Sequence, residues 1–344
     1  MTIEEKNLKI GAKDNGNVTI ADIAEALGIS KTTVSRSISG KGRISDATRQ
    51  KVLDYIQQYN YKPNPYAKGL AQSRTYNIGW VVPGDSSMTS LPFFQRCMLG
   101  VGEAATAEDY DILLSSVLGD DISALERAVG NHKVDGFILA RTLQNDPCIA
   151  CLKESGLPFV VIGSTEEEGV VQIDNDHVKA CAELTSILIM KGVRRVAYVG
   201  GNSNHVVNIT RRQGFEKGIE IVAQKPEKIL IYVDNDTSIE VERATEDAMR
   251  SGIDCIICSD DRITHDVLEA LKRNNYSVPE DVKVASFYNS ELLSSHQPPI
   301  TALQYDPKEL GRVACRILLD IIEGEEFPVK TLLSYEVVLK GSTV

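Results

Sequence analysis

VTIADIAEALGISKTTVSRSIS, residues Val18 to Ser39, carries the pattern from which the rest of the chain can be read. Thr19 and Asp22 stand at capping-box spacing: the hydroxyl can accept the Asp22 N–H, and the carboxylate can accept the Thr19 N–H. Ile20, Ile23, Ala24 and Leu27 then fall at i, i+3, i+4 and i+7, one face of a helix. Gly28 stops that helix, having no Cβ to oppose a positive φ. Ser30 is placed to N-cap a second helix, Lys31 to Ser39, with Val34 and Ile38 inward and Lys31, Thr32, Ser35 and Arg36 on the other face. Two short helices joined by a glycine turn make a helix-turn-helix, the second helix being the one that enters a DNA major groove. Periodicity alone fits any small three-helix domain equally well.

Ser45 caps a third helix running to about Tyr59, with Val52, Tyr55, Ile56 and Tyr59 on one side. Charge separates the two readings. Between Val18 and Thr75 there are nine Lys and Arg against four acids, whereas the whole chain is at −11. A basic head on an acidic body is the footprint of a phosphate-binding module carried by a part that does not bind DNA.

Three segments, Val18-Thr19-Ile20-Ala21-Asp22-Ile23-Ala24, Gly28 to Arg36, and Tyr61-Lys62-Pro63-Asn64 followed by Ala67-x-x-Leu70-Ala71, closely resemble the LacI/GalR family of bacterial transcriptional regulators. The resemblance implies that Lys31 and Thr32 reach base edges, arginine and lysine favouring guanine O6 and N7. Arg36 contacts a base or a phosphate. Thr19, Ser30, Thr33, Ser35, Arg43 and Tyr61 join these in the implied DNA-binding set, with Asn64, Ala67 and Ala71 after them. Pro65 to Ala71 is the implied hinge helix, and Leu70 the apolar wedge that opens the minor groove at the central step. Ser39 departs from the family, where asparagine is commoner, and one DNA contact goes with it.

A length of 344 residues suits two or three domains, and 42% hydrophobic with 25% charged residues is a soluble composition. No apolar run reaches the roughly 18 residues of a membrane span. Residues 1–17 lack an apolar core and read as a disordered polar leader, not a signal peptide. Seven cysteines without a secretion signal read as reduced thiols in a cytoplasm. Cys148/Cys151 and Cys255/Cys258 have CxxC spacing, but the first pair falls in a helix and the second in an apolar strand, so no metal or redox centre is expected.

After Thr75, short apolar strands alternate with helices: 78–82, 112–114, 136–140 and 159–162 in one unit, then 195–200, 229–232, 255–258 and 283–287 in a second. Such alternation means doubly wound parallel sheets with helices on both faces. The expected fold is therefore an all-α helix-turn-helix head (18–62), a hinge helix and linker (63–75), and a two-lobed α/β core (76–344). The first lobe takes 76–174 and 306–334, the second 175–305 and 335–344, with 301–306 read as a crossing and 332–339 as one last strand. Arg194 to Gly201, Arg211-x-x-Gly214-Phe215, Ser259-Asp260-Asp261 and Val278 to Val282 extend the family resemblance through the core, which implies a shape like a periplasmic sugar-binding protein.

By that resemblance Arg211 and Asp261 bind the effector, and a guanidinium with a carboxylate in one cleft suits paired sugar hydroxyls. A salt bridge between them is the plainer alternative. Arg141, after strand 136–140, suits an acidic or phosphorylated effector. Tyr288 and Tyr305 replace smaller polar groups common in the family and offer faces for a sugar to stack on. Asn208 and Asn235 fall on nearby loops, and Phe93 and Phe94 read equally as core or ligand wall. No nucleophile elbow, phosphate loop, dinucleotide fingerprint or zinc motif is present, so neither an enzyme nor a cofactor is expected. The expectation is a cytoplasmic, nucleoid-associated homodimer on double-stranded operator DNA, repressing a carbohydrate operon until a sugar releases it. A corepressor-dependent regulator and, more remotely, a sugar-binding receptor are the alternatives.

Overall fold

A computed structural model describes residues 18–40, 42–59, 61, 74–85 and 92–344. The leader 1–17 and most of the proposed hinge segment, with Asn64, Ala67, Leu70 and Ala71, lie outside the described residues. The described chain divides into two units at Thr75/Tyr76.

In the first unit, Thr19 and Asp22 close the capping box in front of α1 (Ile20–Leu27). Gly28 takes the left-handed conformation at φ 67° to end it. Ser30 accepts from Thr33 N–H to start α2 (Lys31–Ser39), and Ser45 accepts from Thr48 N–H to start α3 (Asp46–Gln58). Ile23, Ala24, Val34, Val52, Tyr55 and Tyr61 bury one small core between the three helices. Ile38 is only partly buried, and Ser37 is the buried partner of Val34 in α2.

The second unit holds two six-stranded sheets, which define two lobes. Lobe 1 is built from β1 (Asn77–Pro83), α4 (Pro92–Ala107), β2 (Asp111–Val117), α5 (Ser123–Gly130), β3 (Gly136–Leu139), α6 (Pro147–Ser155), β4 (Phe159–Ile162) and β5 (Val171–Asn175). Lobe 2 follows with α7 (His177–Met190), β6 (Arg195–Val199), α8 (Val206–Ile221), β7 (Lys228–Tyr232), α9 (Ser238–Arg250), β8 (Cys255–Cys258), α10 (Asp261–Arg273), β9 (Lys283–Ser286), α11 (Glu291–Ser295) and β10 (Thr301–Gln304). The chain then returns to lobe 1 for α12 (Pro307–Ile322) and β11 (Lys330–Leu333), and ends in lobe 2 with β12 (Glu336–Val338). Sheet order is β11-β5-β4-β3-β1-β2 in lobe 1 and β12-β10-β9-β8-β6-β7 in lobe 2, with β12 alone antiparallel to its neighbour.

Two sequence expectations are corrected. Residues 332–339 are not one strand: β11 belongs to one sheet and β12 to the other, because the chain passes between lobes at Ser334–Tyr335. Thr301–Gln304 is a strand of lobe 2 rather than a crossing, paired with β9 and β12. Strand β5 is an addition to the strands expected from the sequence.

Strands β3 and β8 are buried along their whole length, as parallel strands covered on both faces must be. In lobe 1, α4 and α12 cover one face around Trp80 and Ile138, and α5 and α6 cover the other around Phe137 and Leu139. In lobe 2, α7 and α8 cover Tyr198 and Ile257, and α9 and α10 cover Val199 and Ile256. Each large side chain so buried contributes roughly 1.5–3 kcal/mol. Gly100 of α4 and Gly311 of α12 let these helices touch backbone to backbone: a Cβ on Gly100 would overlap the Lys308 carbonyl, and one on Gly311 the Cys97 carbonyl. Within each sheet the chain turns in opposite directions after two adjacent strands, β1 and β3 in lobe 1 and β6 and β8 in lobe 2. A crevice opens at such a switch point, beyond the strands' carboxyl ends.

Candidate functional site

Two places in the molecule gather the residues singled out by sequence. The first is the outer face of α2. Lys31, Thr32, Ser35 and Arg36 are all exposed, while Val34 and Ser37 hold the opposite face to the core. Arg43 is exposed in the loop after α2. Thr33 and Ser30 are tied together, Thr33 N–H donating to Ser30 Oγ at 3.0 Å and the two hydroxyls lying 2.9 Å apart. Thr19 Oγ1 donates to Asp22 Oδ2 at 2.6 Å, so its hydroxyl already serves the capping box. Tyr61 packs its ring in the head's core and is 8% exposed, and burial raises its phenol. Ser39, the departure from the family, turns its hydroxyl back toward the Arg36 carbonyl. The result is a short helix whose four outward side chains are long or hydroxylated and none is acidic, which suits base edges and phosphates.

The second place is the cleft of the two-lobed unit. Asp260, at the end of β8, spends its carboxylate on the N-terminus of α10, accepting from Ile263 N–H at 2.9 Å. That leaves Asp261, the first residue of α10, turned inward and 4% exposed. Burial, and secondly the charge of Asp260, push its carboxyl up to about 6, against the pull of Ser290 and Arg211. Arg211, in the second turn of α8, is equally enclosed at 8% exposed. Arg211 Nε and Asp261 Oδ1 are buried without a hydrogen-bond partner of good geometry, and the Ser290 hydroxyl stands beside the Asp261 carboxylate. Leaving such groups unpaired costs on the order of 1–3 kcal/mol each, which a polar ligand would recover.

Tyr288 and Tyr305 wall this space. Tyr288 feels both the Asp261 carboxylate and the Arg211 guanidinium, and burial, the largest cause, drives its phenol well above 10. Phe93, at the start of α4, meets Tyr288 edge-on with ring centroids 6.2 Å apart, so lobe 1 touches the wall; Phe94 is core. Tyr305 is held from behind. Its hydroxyl lies 3.3 Å from His177 Nδ1, and His177 Nε2 lies 3.3 Å from Asp174 Oδ1, which also receives the Asn175 N–H at 2.8 Å. Sequence reading did not single out His177, Asp174 or Ser290. The strand-end run Asp174-Asn175-Asp176-His177 was the available signal for the first two.

The remaining predicted residues are placed differently. Arg141 pairs with Asp85 at 2.9 Å, both beyond the carboxyl ends of the switch-point strands β3 and β1. Asn208 donates to the Asn202 carbonyl at 2.9 Å, and Asn235 donates to the Gly200 carbonyl at 2.9 Å. These amide donors brace the loop after β6, and Asn208 stands in the first turn of α8 rather than on a loop. A separate cavity of about 520 Å³ opens between the lobes, lined by Leu143 to Asp146, Ser164 to Glu167, Asp174 to Val178 and the first turns of α8. Cys255 and Cys258 are fully buried on β8 and burial raises both thiols far above the ordinary range. No helix among the described residues is long and apolar enough to cross a membrane.

Comparison with known proteins bears on both places. Residues 19–64 match the family described as bacterial regulatory proteins, lacI family, and residues 185–343 match a periplasmic binding protein-like domain. The HTH-type transcriptional regulator MalR of Staphylococcus xylosus is 32% identical over 312 residues, covering 89% of this chain and 92% of its own length. The transcriptional regulator CelR, solved as a complex with cellobiose, superposes with a TM-score of 0.71 at 28% identity, over 95% of this chain and all of its own. A lac repressor dimer bound to operator superposes with a TM-score of 0.80 over 95% of this chain, at 22% identity, a likeness of fold.

Proposed function

The chain belongs to the lacI family of bacterial regulatory proteins, which are DNA-binding transcriptional regulators, and we propose that this member represses a carbohydrate-utilisation operon and is released by a sugar. The observation that carries the proposal is the pair Arg211 and Asp261, both buried, with Nε of one and Oδ1 of the other unpartnered, beside Tyr288 and Tyr305. A carboxylate accepting from vicinal hydroxyls, a guanidinium donating to them and an aromatic face for the ring's C–H surface together suit a pyranose. The relative solved with cellobiose makes a glucose disaccharide the first effector to test.

In this reading Lys31, Thr32 and Arg36 read the operator, while Thr19, Ser30, Thr33, Ser35 and Arg43 position the head on the backbone. The protein acts as a homodimer on a pseudo-palindrome, because one α2 spans only a half-site. Support for a second copy comes from β2 and β7, the outer edges of the two sheets. Leu114 on β2 is 52% exposed and Leu118 beyond it 61%, while Ile229 and Ile231 are exposed along β7. A long apolar edge left bare is an aggregation hazard unless another chain covers it. The setting is the cytoplasm, where operator DNA is found.

A sugar can shift the balance only through unequal affinity for the open and closed lobes, and closure in a dimer alters the spacing of the first lobes and so of the heads. The test is operator binding by fluorescence anisotropy at fixed salt, on a selected pseudo-palindrome, with a panel that includes cellobiose and maltose. Weakening by one sugar, abolished by Asp261→Ala, upholds the proposal. Tightening by a ligand makes the protein corepressed, and binding no better than to random DNA overturns the reading altogether.

A further inference from the structure

Two loops from opposite lobes meet beside the cavity between the lobes. Residues 142–144 follow β3 in lobe 1, and residues 203–206 lead from β6 into α8 in lobe 2. Gln144 N–H donates to the Asn204 carbonyl at 2.9 Å, and Val206 N–H donates to the Thr142 carbonyl at 3.2 Å. Between these bonds Leu143 and His205 oppose one another as an antiparallel bridge. Gln144 Nε2 adds a third bond, to the Ser203 carbonyl at 2.8 Å.

Each loop receives its shape from its own lobe. Buried Asp146 accepts from Leu143 N–H at 3.0 Å and from Cys148 N–H at 2.9 Å, so it fixes the 142–144 turn while capping α6. Asp234 accepts from the Ser203 N–H at 2.7 Å and the Ser203 hydroxyl at 2.6 Å. Asn202 Oδ1 accepts from Asn204 N–H at 2.9 Å. The loops are therefore preformed docking edges, and parting them breaks three bonds without unravelling either. The loops border the cavity of about 520 Å³, with Leu143, Gln144 and Val206 in its lining together with Asp174 to His177 at the lobe crossing. Val206 opens α8, the helix that carries Arg211, so the pairing also fixes that helix against lobe 1.

We infer that residues 142–144 and 203–206 form a latch between the lobes, and that parting this short backbone ladder lets the lobes open. The regulatory meaning rests on reading the cleft as the sugar site; the latch itself does not. Under that reading the latch sets how much closed form exists without sugar, and so the basal leak of the switch.

Residues opposed in an antiparallel bridge have Cα atoms about 4.5–5.5 Å apart, within the span of a disulfide. The full-length Leu143→Cys/His205→Cys variant is oxidised with diamide without ligand, and the crosslink is located by peptide mass. It should form about 10³-fold faster than intermolecular crosslinks of either single variant, as a pair at millimolar effective concentration does at micromolar protein. Absence of that crosslink in folded, ligand-free protein overturns the latch. Hydrogen exchange tests the latch in the unsubstituted protein: the Gln144 and Val206 amides should exchange about tenfold slower or more than open-loop amides, and Gln144→Ala should speed Val206. Exchange of both at the unprotected rate also overturns it. Cellobiose and maltose are then added. A faster crosslink with one of them supports the sugar-site reading, and a crosslink indifferent to every sugar leaves the latch standing and removes that reading.

Discussion

Tyr288 and Tyr305 stack with ring planes 18° apart and centroids 6.2 Å apart, each just past the carboxyl end of its strand, β9 and β10. The pair makes a flat wall beside Asp261 and Arg211. An aromatic contact of this kind is worth about 0.5–1.5 kcal/mol beyond simple burial. Tyr288→Ala should therefore raise the sugar concentration for half-release by about tenfold, burial included, and leave ligand-free operator affinity within about twofold. Anisotropy titrations of parent and variant, well below the melting temperature, read both numbers.

Asp261 gives a pH-dependent prediction. Its carboxyl rises from 3.8 to about 6 on folding, chiefly by burial. Between those values the folded chain holds a proton that the unfolded chain has lost, so stability falls as pH rises through that window and the full penalty is present at pH 7.5. Asp261→Asn should raise the ligand-free melting temperature at pH 7.5, by an amount corresponding to at most about 3 kcal/mol. The two proteins should converge below about pH 4. Scanning calorimetry across that range tests it, and the same variant should lose its sugar response.

On the head, Lys31 and Arg36 differ in what their removal should change. Lys31→Ala should cost about 1–3 kcal/mol on the preferred operator and relax the preference at one base pair. Arg36→Ala, if its contact is to phosphate, should weaken all sequences alike and lower the salt slope by about one. Affinity on a set of single-base operator variants at two salt concentrations separates the outcomes.

His205 links the latch to pH. Burial first, and then the Arg141 guanidinium, hold its imidazole below the ordinary 6.5, while Asp85, Asp236 and Asp260 pull the other way. Parting the loops relieves the burial, so the open form takes up the proton more readily. The closed form is at full strength above about pH 6.5 and weakens as pH falls below it. Protection of the Gln144 amide, corrected for intrinsic exchange, should decline between pH 7.5 and 5.5, and His205→Asn should flatten that decline.

The head was legible because its signals are local: Thr19 with Asp22, Gly28 and Ser30 act within four residues of where they stand. The alternation of the core was legible for a similar reason, since β3 and β8 are unbroken apolar runs. β5 was not, because Val171-Gln172-Ile173-Asp174-Asn175 mixes polar and apolar residues and owes its place to β4 and β11 on either side. The run 332–339 read as one strand because both halves favour extended backbone, and only the sheets decide where it is cut. Arg211 and Asp261 came from family resemblance, and the structure supplied their burial and the unpartnered Nε and Oδ1. The latch has no side-chain pattern at all; it is mostly backbone, joining segments about sixty residues apart. His177 finds Tyr305 from 128 positions away, a distance no local spacing encodes.

The late return of the chain to lobe 1 has a consequence for synthesis. The ribosome releases the head first and the whole of lobe 2 except β12 before α12 exists. Lobe 1 meanwhile waits with the face around Trp80 and Ile138 covered by α4 alone, and α12 still to come. The segment from Pro307 to Val338 therefore completes both lobes almost together, placing α12, then β11, then β12. A nascent chain stalled before Pro307 carries a DNA-reading head on an unfinished first lobe, so a working regulator forms only after α12, β11 and β12 have emerged.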